Sequence, residues 1–248
     1  VTRTRPGRFG GRFSNELVQV GRWRDAQPGE GAMTSSVARR ALRGSAMALA
    51  LLVAASPASG GDGDVVEIEE HWSLAVGGPD ALRTAPQVSM VMSPAGGIDS
   101  DFFLLSLNHW SYPGFEPGGV QLQHWNGENW RSSKSASNEL PLDTDGETIR
   151  WAQRLTLSDC SLTYEVFNAE STTWGNFAAG EALKITTHTE LARLNGYLPA
   201  TSLSESGIGY AGNRVSSLVL EKLRWRFDGD DEYQEMVAPI DIDADLDP

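Results

Sequence analysis

The chain has 248 residues, with 33 acids, 20 bases, a net charge of −13 and one cysteine. Three of the acids and nine of the bases lie in the first sixty residues, so residues 61–248 carry −19. A surface that acidic repels nucleic-acid phosphates, which excludes nucleic acid as a partner, and it offers oxygen ligands for Ca²⁺ as a cofactor.

Residues 1–32 hold six arginines, no lysine and little apolar periodicity, and the first Met is Met33. We read 1–32 as the upstream product of a misassigned start, without folded elements, and expect translation to begin at Met33. Arg39, Arg40 and Arg43 then precede an apolar run, Ala46–Ala55, and a small-residue exit, Ser56–Gly60. That order is the layout of a secretory signal peptide over 33–60, with cleavage after Ala55, Ala58 or Gly60. The run is about half the ~20 residues a membrane-spanning helix needs. Arg39-Arg40 is followed by Ala41-Leu42-Arg43, a poor match to the twin-arginine pattern, so general secretion is expected. The expectation is an exported chain (periplasmic, cell-surface or extracellular) with no integral membrane segment in its mature part. Residues 61–65 form a flexible lead-in.

Short strand-like pieces follow, spanning a domain over 66–228. Glu67–Ala75 alternates loosely around Trp72, and Gln87–Met92 is short and apolar. Phe102–Leu107 is an apolar run that ends in Asn108-His109-Trp110. Val120–Trp125 alternates with period two and meets Asn126-Gly127, a strong hairpin signal, with Trp130 just beyond. Thr148–Leu157 and Leu162–Phe167 flank a turn at Ser158-Asp159. Cys160 next to it is expected to be buried or partly sheltered, since a free cysteine behaves as a small hydrophobe. Glu190–Leu194 reads as a short helical turn, and Leu183–Thr189 and Ser206–Tyr210 as strands. Arg214–Phe227 could wind as a helix, but its Arg-Trp-Arg-Phe alternation argues for strand. Residues 229–248 read as a solvated acidic tail. Many short strands separated by Gly, Pro, Asn and Ser clusters predict an all-β antiparallel β-sandwich of jelly-roll type.

Phe102–Trp110, Gly119–Trp125 with Asn126-Gly127, and Arg214–Phe227 resemble an inner strand, a ligand-side hairpin and the closing strand of concanavalin A-like lectin/glucanase sandwiches, including laminin G-like domains. The resemblance is one of pattern over about residues 66–228 and contains no diagnostic motif. It implies secretion, a sugar-binding concave face and often a structural Ca²⁺.

Aromatics beside polar side chains are the candidate ligand-binding residues: Asn108, His109, Trp110, Tyr112, Trp125, Asn126, Trp130, Trp174 and Asn176. Such groups offer an apolar platform with a few orienting hydrogen bonds. Trp151 and Trp225, on clear strand parities, are expected in the core instead. Glu165 and Glu170 are the candidate catalytic pair. The related glucanases carry Glu-x-Asp-x-x-Glu, and Phe167 stands here where they have aspartate. Residues five apart face opposite sides of a regular strand, so only a bulge brings both carboxylates into one cleft. Asp241, Asp243 and Asp245 resemble the opening of a calcium loop, but Leu246 occupies the position of its glycine. The leading reading is a noncatalytic module for carbohydrate binding, with polysaccharide or another extracellular glycan as partner, or for extracellular interaction. The alternatives are a polysaccharide hydrolase using Glu165 and Glu170, and a structural surface protein without a glycan ligand.

Overall fold

The computed structural model describes residues 63–77, 86–109, 119–136, 145–178, 183–210 and 212–242. The expected signal peptide, the upstream segment, Trp110, Tyr112, Asp243 and Asp245 lie outside them. The described residues are mostly β, in two antiparallel sheets packed as a sandwich.

The seven-stranded sheet runs β12 (Gln234–Asp241), β11 (Val215–Phe227), β1 (Val65–Val76), β6 (Glu147–Ser158), β7 (Ser161–Ser171) and β8 (Gly175–Asn176), with β9 (Lys184–His188) also pairing with β7. The five-stranded sheet runs β10 (Gly207–Tyr210), β2 (Gln87–Met92), β3 (Asp101–His109), β4 (Gly119–Asn126) and β5 (Asn129–Ala136). The one α-helix among the described residues, α1 (Pro199–Glu205), starts at a proline, which suits the first helical turn because its missing N–H would be unpaired there. The helical turn expected at Glu190–Leu194 is irregular chain instead.

Alternation decides the layers. Ile68, Trp72 and Leu74 of β1, Ile149, Trp151 and Leu155 of β6, and Phe103, Leu105 and Leu107 of β3 all point into one core. Trp72 and Trp151 are cross-strand partners whose rings stack at 6.4 Å. Phe103 stacks on Tyr164 at 5.0 Å, joining one sheet to the other. Trp225 is partly buried and packs against this core. Arg214–Phe227 is strand, apart from the 3₁₀ turn at its start, because β1 and β12 flank it and satisfy its backbone.

Two further local expectations change. The segment 229–248 holds β12, which pairs from Gln234 to Asp241 despite its acidic composition. Its register slips where Ala238 and Pro239 oppose Glu221, which accommodates a proline that cannot donate to the ladder. Cys160 is exposed in the two-residue turn between β6 and β7, where Asp159 and Cys160 adopt φ of 47° and 59°. That geometry suits a tight hairpin and turns the thiol outward.

Candidate ligand-binding face

The outer face of the five-stranded sheet carries an aromatic group of which Trp130 is the exposed member. Phe102 and Leu104 of β3 alternate with the core residues Phe103 and Leu105, so they point away from the sandwich interior. With Val91, Trp125 and Ile98 they form a second, smaller apolar cluster. Trp125 stacks on Phe102 at 6.4 Å and 11°. Trp130, its register partner on the edge strand β5, is 56% exposed.

Polar side chains continue the platform along β4. Trp125 Nε1 donates to Gln123 Oε1 at 2.9 Å, Gln123 Nε2 donates to Gln121 Oε1 at 2.5 Å, and Gln121 Nε2 donates to Ser135 Oγ at 3.1 Å. The period of two puts all these groups on one face. Each member orients the next, so the row presents its remaining donors and acceptors in fixed directions.

The hairpin tip is held from below. Asp101 accepts from Asn126 Nδ2 at 2.9 Å and pairs with His124 Nε2 at 3.0 Å. Gly127 N donates to Ser100 O at 2.9 Å, with φ at 54°. A Cβ on Gly127 would meet Asp99 O at 3.1 Å, so both the backbone angle and the close approach call for glycine.

The other sequence candidates scatter. Asn108 is fully buried with φ at 58°, and its amide donates to Pro86 O at 2.8 Å, so it closes the end of β3 instead of facing a ligand. His109 ends β3 opposite Gly119. Trp174 is half-buried edge-on to Phe177 at 5.3 Å, and Asn176 is exposed on β8. Trp174 lies in the turn between β7 and β8 and Asn176 on β8, so both sit at the seven-stranded sheet, not the sheet of Trp125 and Trp130. Asp241 Oδ1 accepts the Leu218 backbone N–H at 3.0 Å. Among the described residues no three His, Cys, Asp or Glu side chains cluster as a metal centre.

Glu165 and Glu170 do reach the same face. β7 carries an extra residue between the pairs Arg150–Glu170 and Ala152–Phe167, with Asn168 at φ 49°. This bulge restores a common side for the two glutamates. Phe167 lies between them on that side, with the Arg154 guanidinium 4.5 Å over its ring. Glu165 accepts from Arg154 and belongs to a row of alternating charge across four strands: Arg224, Glu69, Arg154 and Glu165. Burial opposes the charge on Glu69, yet the His71 hydrogen bond and the Arg224 and Arg154 charges hold its carboxyl below the usual range.

Sequence reasoning missed a polar cluster inside the core. Glu70 accepts from Trp72 Nε1 at 2.9 Å, from Gln153 Nε2 at 2.5 Å and from the Tyr197 hydroxyl. Tyr164 donates to Gln153 Oε1 at 2.9 Å. The Ser202 hydroxyl lies against the same carboxylate without reaching hydrogen-bond geometry. Complete burial pushes the Glu70 carboxyl above its ordinary value, and burial together with Glu70 pushes both tyrosines well up. The available signal was parity, since Glu70 falls on the same side of its strand as Ile68, Trp72 and Leu74. Glu70 and Gln153 are both 0% exposed, so the cluster braces the sandwich and cannot meet a large ligand.

No protein-family model and no curated protein matches the chain. Solved structures show a distant likeness. One is scytalido-glutamic peptidase with a transition state analog inhibitor, at 12% identity and a TM-score of 0.32, over 71% of this chain and 82% of that one. Another is SCP-B, a member of the Eqolisin family of peptidases, in complex with the tripeptide Ala-Ile-His, at 13% identity and a TM-score of 0.26, over 70% of this chain and 81% of that one.

Proposed function

We propose that the chain is an exported, noncatalytic glycan-binding domain of concanavalin A-like type, which takes polysaccharide on the outer face of β4 and β5. The observation that carries this reading is Trp130: a large aromatic ring, 56% exposed, beside a rigid row of glutamine and serine side chains. Sugar rings stack their C–H faces on such a platform while amides and hydroxyls bond their hydroxyl groups. Isothermal titration of the full chain with cello-, xylo- and chito-oligosaccharides tests it. Saturable heat from at least one series, weakened about tenfold or more by Trp130→Ala, is expected, as for an aromatic anchor. Heat that Trp130→Ala leaves unchanged would move the site elsewhere and refute the reading.

A second reading, hydrolysis by Glu165 and Glu170, is favoured by the β7 bulge, which sets both carboxylates on one face. Against it stand Phe167 between them and the engagement of Glu165 by Arg154. Release of reducing ends by the wild type, abolished in Glu165→Gln and Glu170→Gln, would establish it. Its absence with every polysaccharide that binds leaves the noncatalytic reading.

A further inference from the structure

The outer face of the seven-stranded sheet holds a cavity of about 260 Å³, distinct from the β4–β5 face. Its position follows from two bulges. Glu221 is an extra residue in β11 beside the pair His71–Lys222, and Asn168 lies in the extra stretch of β7 opposite Trp151. Between them, β1 and β6 pair without any slip, through Trp72–Trp151 and His71–Ala152. A bulge on each side of one regular strand pair spreads the flanking strands' side chains and re-aims them, as bulges do beside binding sites. Ala152, only 1% exposed, leaves the floor low where its neighbours carry long side chains.

The walls are His71, Arg150, Asn168, Glu221 and Lys222. Glu221 already accepts from Ser73 Oγ at 2.6 Å, and Lys222 pairs with Glu235 at 3.3 Å. Arg150 and Asn168 are exposed and, among the described residues, make no ion pair or side-chain hydrogen bond. Glu170 faces Arg150 in the register without pairing with it. A free planar guanidinium beside a free amide, on a chain with net charge −13, is a donor site among acids. A guanidinium matches a carboxylate with two parallel hydrogen bonds. The free Asn168 carbonyl and the second Glu221 oxygen are acceptors for neighbouring hydroxyls.

We infer that this cavity binds a small hydroxylated carboxylate, such as a sugar acid, with Arg150 as its anchor and Asn168 as the second donor. The inference is independent of the glycan-binding reading, which concerns the other sheet. Titration of the full chain, followed by amide NMR, uses galacturonate, gluconate and neutral galactose as probes. Ring and open-chain acids test the same carboxylate chemistry. Either acid is expected to shift the Ala152 and Asn168 amide signals saturably, and galactose is not. Arg150→Gln is expected to weaken binding at least about tenfold, the loss of a charge-assisted hydrogen bond. Asn168→Gly keeps the positive φ that the bulge needs, so it removes the amide without unfolding the strand, and it is expected to weaken binding as well. Galactose binding equal to galacturonate, unchanged affinity in Arg150→Gln with its fold intact, or no saturable shift with either acid would overturn the inference.

Discussion

Trp125 and Trp130 stand opposite one another in the β4–β5 register, yet one is 7% exposed and the other 56%. The difference lies in their neighbours. Trp125 has Phe102 on β3 to stack on, whereas Trp130 sits on the edge strand with no further strand beyond it among the described residues. One ring therefore supports the sheet and the other is open to solvent.

Their stabilities should separate accordingly. Trp125→Ala opens a cavity against Phe102 and loses its bond to Gln123, so a cost of about 3–5 kcal/mol is expected. Trp130→Ala should stay within about 0.5 kcal/mol of wild type, as for a surface substitution. Urea denaturation of both variants checks this, and equal losses would contradict the division of roles.

Gly127 provides a test of the hairpin tip. Gly127→Ala places a Cβ at φ 54° and 3.1 Å from Asp99 O, so a loss of roughly 1 kcal/mol or more is expected. A thermal melt unchanged from wild type would mean that the 99–101 segment gives way freely.

Glu70 makes stability depend on pH. Its folded-state value lies above the ordinary value of 4.5, so the folded chain holds its proton longer than the unfolded chain does. Stability from this group is full below the unfolded value and falls as pH rises toward the folded value, by at most about 1.4 kcal/mol per pH unit. Glu70→Gln removes this component. Urea midpoints measured from pH 4 to 8 should fall less steeply with rising pH in Glu70→Gln than in wild type. Parallel profiles would place the proton elsewhere.

Arg154 should act in the opposite direction. It bridges Glu67, Glu69 and Glu165, and the Glu69 carboxyl is held below its ordinary value. A depressed acid stabilises above its unfolded value and loses that contribution as pH falls through the folded value. Arg154→Met should therefore cost about 1–3 kcal/mol at neutral pH, toward the lower figure because the side chain is 27% exposed. The difference from wild type should shrink in acid, and a constant difference would contradict the charge row.

Strand positions were legible because alternation and turn chemistry are local. Val120–Trp125 with Asn126-Gly127 predicts a hairpin, and β4 and β5 form it. β12 was not legible, since Gln234–Asp241 lies between acidic stretches, carries a proline and gains its order from β11. The exposure of Trp130 and the burial of Asn108 were not legible: Trp130 is open because β5 is an edge strand, and Asn108 is buried because its amide meets the Pro86 carbonyl at the start of the neighbouring β2. The common face of Glu165 and Glu170 turns on one residue, Asn168, whose left-handed backbone is not visible in an alternation pattern. Glu70 and Gln153 meet only when β1 and β6, far apart in sequence, come into register.

Glycan binding on the outer β4–β5 face, as proposed, turns on Trp130. Retention of the full chain on a panel of insoluble polysaccharides, compared with Trp130→Ala, tests it most directly. Wild type is expected to be retained on at least one polysaccharide and the variant, still folded, to wash through. Retention of neither protein on any member, or of both equally, would contradict it.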